Sequence, residues 1–212
     1  KKGPIFSNII LADEINRSPA KVQSALLESM QERQVTIGDD SFKLDLPFLV
    51  LATQNPIDQE GTYPLPEAQR DRFMMKLNIS YPSKDEELKI MQRMSDLNFK
   101  NTIKTILSKK DINSIQNEIN KVSISESIEK YIIELVSATR NPSSIDLDDL
   151  ENYISFGASP RASINLSLSS RANAFLSGRD YVMPDDVKEV ANDVLNHRII
   201  LNYEAEAEGI KS

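Results

Sequence analysis

Cysteine is absent from the 212-residue chain, which excludes disulfides and thiolate metal sites and permits a reducing compartment. His197 is its single histidine, so a multi-histidine metal centre is excluded as well. No apolar run approaches the roughly 20 residues that span a bilayer, and the N-terminus carries no signal-peptide pattern. Positive charge is also short. With 25 Lys and Arg against 32 Asp and Glu, the formal charge is −7 and the pI about 4.9. That balance argues against broad electrostatic binding to nucleic acid or to an anionic membrane. The six glycines, Gly3, Gly38, Gly61, Gly157, Gly178 and Gly209, never take the spacing Gly-x-x-x-x-Gly-Lys-[Ser/Thr]. A phosphate-cradling loop is therefore missing from these residues. The expectation is a cytoplasmic globular protein of one large or two small domains. Lys1-Lys2-Gly3-Pro4 runs almost directly into a strand without an initiator methionine, which reads as a piece of a longer protein.

The organising stretch is Asn8 to Arg17. Asn8-Ile9-Ile10-Leu11-Ala12 is a short, β-branched apolar run, the pattern of a strand buried on both faces. It ends in Asp13 and Glu14, at the strand end where open α/β sheets place their ligands. In nucleotide hydrolases one such acid holds Mg²⁺ and its neighbour orients the attacking water. A solvated acidic pair also fits these residues. Ser18-Pro19 follows as a helix start, with Ser18 as cap and Pro19 at the first position.

That helix carries Val22, Ala25, Leu26 and Met30 at helical spacing and ends near Arg33. Val35, Ile37, Phe42 and Leu44 flank Gly38-Asp39-Asp40-Ser41, predicting a β-hairpin. Phe48-Leu49-Val50-Leu51-Ala52 reads as a second strand that ends in Thr53-Gln54-Asn55-Pro56. A loop punctuated by Gly61, Pro64 and Pro66 leads to Glu67 through Phe73, and Phe73 to Ile79 reads as a third strand. Buried strands with helical connections point to a parallel α/β sheet. Beyond Tyr81-Pro82 everything reads as helix and turn. Ser83 with Glu86 has the capping-box pattern, and Ser108 with Asp111 starts the next helix, which carries Ile112, Ile115 and Ile119. Ile128, Tyr131, Ile132, Leu135 and Val136 form the clearest amphipathic stripe. After a loop from Asn141 to Ser159, helices run from Arg161 to Leu176 and from Pro184 onward, the last with Val187, Val190, Ala191, Val194 and Leu195 on one face. His197 and Arg198 stand at the end of that helix, where cations suit the helix dipole and a structural role is expected. The division falls near Tyr81: an α/β part over 1–81 and a helical part over 82–212.

Several blocks, taken together, resemble the MoxR family of AAA+ ATPases. They are Gly3-Pro4-Ile5-Phe6, Leu11-Ala12-Asp13-Glu14-Ile15-Asn16-Arg17, Ala52-Thr53-Gln54-Asn55-Pro56, Glu60 through Gln69, Gly157-Ala158-Ser159-Pro160-Arg161-Ala162 and Gly178 through Val187. They occur in family order over almost the whole chain. The fold this implies is α/β: a partial parallel sheet of the AAA+ P-loop type with flanking helices, followed by an all-α lid.

The resemblance also implies roles. Asp13 and Glu14 match the Walker B pair, Asp13 organising Mg²⁺ through water and Glu14 polarising the lytic water. Asn55 matches sensor 1, where a neutral amide can hold both water and a γ-phosphate oxygen; read alone, it is an Asn-Pro turn residue. Arg72 in Asp71-Arg72-Phe73 matches the arginine finger offered to a neighbouring subunit's γ-phosphate. Arg70 stands where the family commonly has an apolar residue, so a second arginine lies close by. Arg161 matches sensor 2, carried on the lid. On residues alone, Arg72 fits a surface ion pair and Arg161 a solvent-exposed arginine. Met183 replaces the usual Thr or Ser cap of the last helix and is expected to loosen its start. The implied cofactors are ATP and Mg²⁺. The implied partners are further copies in a ring of six and proteins with a von Willebrand factor A domain. Without a P-loop, the chain by itself is expected to be inactive. A non-hydrolysing assembly or adaptor module is the alternative; a DNA-bound AAA+ relative fits the acidic balance poorly.

Overall fold

The computed structural model describes residues 3–55, 63, 65–96 and 103–210. Pro56, Glu60 through Thr62 and Pro64, which belong to the matched blocks, lie outside the described residues. Strand β1 (Ile9–Ala12) is followed by α1 (Ala20–Glu32), the hairpin β2 (Gln34–Ile37) and β3 (Asp40–Lys43), β4 (Leu49–Ala52) and the short α2 (Glu67–Arg70). The rest is mainly helical. It comprises α3 (Lys84–Met94), α4 (Lys109–Lys121), α5 (Glu126–Ala138), α6 (Asp148–Glu151), β5 (Ile154–Phe156), α7 (Pro160–Leu176), α8 (Pro184–Leu195), β6 (Ile200–Leu201) and α9 (Tyr203–Ala207).

β1 and β4 pair in parallel, Ile9 opposite Leu49 through Ala12 opposite Ala52. The pair is not buried on both faces. Ile9, Leu11, Leu49 and Leu51 are between 50% and 64% exposed, whereas Ile10, Ala12, Val50 and Ala52 are half-buried. The two-residue period of a strand sends alternate side chains to opposite faces, and only one face meets the small core of Ile15, Leu27 and Leu65.

α1 is rotated from its expected stripe. Val22 and Ala25 are exposed, and the buried positions are Gln23, Leu27 and Ser29. A buried glutamine is tolerated because its amide donates to the carbonyls of Ile15, Ser18 and Tyr63 at 3.1, 3.1 and 3.0 Å. Ser18 does not cap this helix through its side chain; Pro19 occupies the cap position. The hairpin forms as expected around Gly38, at φ +64°, and Phe6 meets Phe42 edge-on at 6.1 Å.

The helical part holds the larger core. Ile128, Ile132 and Val136 of α5 pack with Ala162, Leu166 and Ala174 of α7 and with Val187, Val190 and Val194 of α8. Both expected capping boxes form: Ser83 with Glu86 and Ser108 with Asp111. The start of α8 is held without a hydroxyl at 183. Asp186 accepts the Met183 amide at 2.7 Å and receives both ends of the Arg179 guanidinium at 2.6 and 2.7 Å.

Residues Phe73 to Ile79 do not form a strand. Phe73 packs on the small core and Met75 on the large one. The backbone groups of this segment bond to the end of α8 instead of to a sheet: the Lys76 amide donates to the Asp193 carbonyl at 2.8 Å. Local apolar pattern gave a strand here, and long-range pairing overrode it.

Candidate functional site

Two groups of residues form the site, one at the strand ends and one where the α2 segment meets the lid. At the first, β1 and β4 end side by side and their trailing residues interlock. The Thr53 amide donates to Ala12 and the Ile15 amide to Thr53, each at 3.0 Å. The Thr53 hydroxyl donates to Asp13 Oδ1 at 2.5 Å and accepts the Glu14 amide at 2.8 Å. One hydroxyl thereby holds the Asp13 carboxylate and the Glu14 backbone. Glu14 adopts a left-handed backbone, φ 47° and ψ 53°, a conformation uncommon for a residue with a Cβ and frequent at functional positions. Its carboxylate accepts from Arg17 Nε at 2.9 Å. Asn55 leaves β4 beside this group, its carbonyl accepting from the Asn16 amide at 3.3 Å.

At the second group, Asp71 is the hub. Its Oδ2 accepts from Ser159 Oγ at 2.8 Å and Arg161 Nη1 at 3.1 Å, and its Oδ1 from Arg198 Nε at 3.0 Å. Burial would raise the Asp71 pKa, but the bonds from Ser159 and Arg161 and the charge and bond of Arg198 outweigh it and hold it below its ordinary value. Arg198 also donates to the carbonyls of Asp71, Phe73, Met74 and Val194. His197 Nε2 donates to the Phe73 carbonyl at 3.2 Å. Burial first, then the adjacent Arg198 charge, push the His197 pKa down to about 4. A cleft of about 190 Å³ opens beside these groups, lined by Glu67, Asp71, Phe156, Ser159, His197 and Arg198 among others.

Ser159 and Arg161 are delivered by a tightly seated loop. Ser159 caps α7, and the Ala158 amide donates to Thr139 Oγ1 at 2.9 Å. At Gly157 any Cβ would lie 2.3 Å from the Thr139 carbonyl oxygen, so the close approach requires glycine.

The structure thus joins Asp13 with Glu14 through Thr53, and Arg161 with Asp71. Among the described residues, no hydrogen bond or ion pair joins Arg161 to Asp13 or Glu14. The Nε atoms of Arg70 and Arg72 are both buried without a hydrogen-bond partner among the described residues; the two arginines are alike in this respect. Among those residues no cluster of three or more His, Asp or Glu could cage a metal. The exposed Asp13 carboxylate beside a hydroxyl fits an ion that keeps most of its water and bonds phosphates, as Mg²⁺ does.

Comparison with known proteins defines the family. Residues 1–75 match the ATPase family associated with various cellular activities (AAA), and residues 149–212 match the AAA lid domain. The chain is 50% identical to Chaperone MoxR1 of Mycobacterium tuberculosis, covering 98% of this chain and 55% of that protein. It is 32% identical to Protein MoxR of Paracoccus denitrificans, covering 98% and 66%. A crystal structure of a candidate ATPase from Cytophaga hutchinsonii superimposes with a TM-score of 0.95 at 66% identity, over all of this chain and 64% of that one. The chain belongs to the MoxR family of AAA+ ATPases. It spans between 55% and 66% of the length of these relatives. A full-length MCM homologue from Methanopyrus kandleri, at 17% identity and a TM-score of 0.58, shares the fold.

Within this MoxR chain, three participants carry no motif signal of their own. Thr53 lay inside a matched block without a role; its signal is a hydroxyl directly after β4, opposite the first acid. Asp71 stands beside Arg72 with no spacing that points to Ser159, Arg161 or Arg198. Arg198 was expected to serve a helix end, whereas it reaches 127 residues back along the sequence.

Proposed function

We propose that this chain is the Walker B, sensor and lid part of a MoxR-type ATPase that couples ATP hydrolysis to remodelling or maturation of partner proteins. The observation carrying this reading is the Thr53 hydroxyl after β4, which binds the Asp13 carboxylate and the Glu14 backbone amide at the end of the paired strand β1. In this reading Asp13 holds Mg²⁺ through water, and the ion supplies charge neutralisation at the phosphates. Glu14 orients and polarises the attacking water, with Asn55 beside it as a neutral donor and acceptor. Arg161 faces the phosphates from the lid, and Arg72 reaches a neighbouring subunit's γ-phosphate. The active unit is then a ring, taken as six copies, acting in the cytoplasm with von Willebrand factor A domain partners. The working division is an α/β part over 1–81 and a lid over 82–212. Residues 1–212 alone lack the phosphate cradle and should bind Mg-ATP weakly or not at all.

The test is ATP turnover by the protein as its own cells make it, with and without Glu14→Gln. Loss of about 10²-fold or more in kcat is expected, with nucleotide binding retained. Equal turnover by the variant would overturn the role of Glu14. Absence of any turnover by the natural protein would favour the assembly or adaptor reading.

A further inference from the structure

Asp71 stands between two arginines of unequal freedom. The Arg198 side chain is 0% exposed and gives its other donors to four backbone carbonyls. Arg161 is 47% exposed, and its guanidinium donates to Asp71. Withdrawing Arg198 would strand buried carbonyls and a mostly buried carboxylate. Withdrawing Arg161 would not, because Ser159 still serves Oδ2 and Arg198 still serves Oδ1. Both arginines share the Asp71 carboxylate, which leaves the half-exposed Arg161 guanidinium only partly neutralised and open to a second anion.

We propose that Asp71 is the exchangeable counter-ion of Arg161: it holds the lid arginine when no phosphate is near and releases it to a phosphate, staying fixed itself on Arg198 and Ser159. The inference rests on reading Arg161 as a phosphate-facing residue. Asp71 is a positioning residue in this scheme and touches no reacting atom. Because Arg198 also binds the Asp71 carbonyl at 3.0 Å, the exchange takes place on a backbone that stays pinned next to Arg72. Asp71 and the phosphate compete for one guanidinium, so Asp71 tunes nucleotide affinity.

The test is isothermal titration of Mg-ATP into the protein as its own cells make it. Asp71→Asn should tighten binding by about 2- to 5-fold, the range of an exposed ion pair removed from the competition. The gain should vanish in an Arg161→Ala background. Ser159→Ala should act in the opposite direction, since a carboxylate with one donor fewer retains Arg161 more firmly. A purely structural role would make Asp71→Asn and Ser159→Ala weaken binding together, and that result overturns the proposal. So does an Asp71→Asn effect that persists without Arg161. If Asp71→Asn does not fold, Ser159→Ala decides in the Arg161→Ala background: its weakening should vanish there, and a weakening that persists without Arg161 overturns the proposal. Failure of the wild-type protein to bind Mg-ATP overturns the ATPase reading itself, and this inference with it.

Discussion

The strand-end region and the lid differ in how they are held. Among the described residues, thirteen buried apolar side chains form the core that unites α5, α7 and α8, whereas three, Ile15, Leu27 and Leu65, form the core of the strand-end region. The strand pair meets that small core on one face only and leaves four large aliphatic side chains exposed on the other. Asp13 and Glu14 are therefore placed by hydrogen bonds more than by packing. The difference teaches that a reactive arrangement can be specified by a few polar contacts while its stability is supplied from elsewhere. The supply line is visible: Arg198 and His197 grip the chain from Asp71 to Met74, and Phe73 and Met75 are packed into different cores.

The comparison can be broken most forcefully from the lid. Leu166 is fully buried, and Leu166→Ala should cost about 3–4 kcal/mol through lost burial and the cavity left behind, read as a shift in the denaturant midpoint. Arg198→Ala should cost about 3 kcal/mol, because it leaves Asp71 half-paired and several carbonyls unserved. If the grip is what couples the regions, chemical unfolding of this variant splits into two transitions; one sharp transition would contradict the coupling.

A smaller effect concerns pH. The His197 pKa is about 4 in the folded chain against an ordinary 6.5. Between these values the unfolded chain takes up a proton that the folded chain refuses, so stability falls as pH drops from 6.5 toward 4. The loss amounts to about 2–3 kcal/mol. His197→Gln, which keeps a donor for the Phe73 carbonyl, should flatten thermal stability across that interval. Asp71 acts lower. Its folded pKa is depressed below the ordinary 3.8, so its contribution is present above that value and is lost as pH falls through the folded one. The smallest effect belongs to the exposed stripe. Replacing Leu11 and Leu51 together by Ser should change stability by less than about 1 kcal/mol while lowering the chain's tendency to aggregate, as light scattering on concentration would record.

Local signals in the sequence served well where the decision is local. The acids at the end of β1, the capping boxes at Ser83 and Ser108 and the stripe of α5 all follow from spacing and side-chain chemistry within a turn or two. Readings that needed a distant partner went astray. Val22 reads as a buried position until Gln23 finds three carbonyls, one of them 40 residues away. The run from Phe73 to Ile79 has the composition of a strand, yet its hydrogen bonds go to residues near 193–198. The strand pair reads as doubly buried because its residues are uniformly apolar, a pattern that says nothing of which face the described chain covers. The motif blocks pick out Asp13, Glu14, Asn55, Arg72 and Arg161 as candidates, but the partners that hold three of them, Thr53 for Asp13 and the Glu14 backbone and Asp71 for Arg161, carry ordinary polar side chains with no spacing rule of their own.

Position 157 has a single admissible letter. With the Thr139 carbonyl oxygen 2.3 Å from where a first side-chain carbon would stand, even alanine would lever the loop away from α5 and carry Ser159 and Arg161 with it. The lid arginine thus inherits its address from the far end of another helix. A saturation library should find glycine alone surviving there, and revertants should map to the end of α5 before they map to any charged residue.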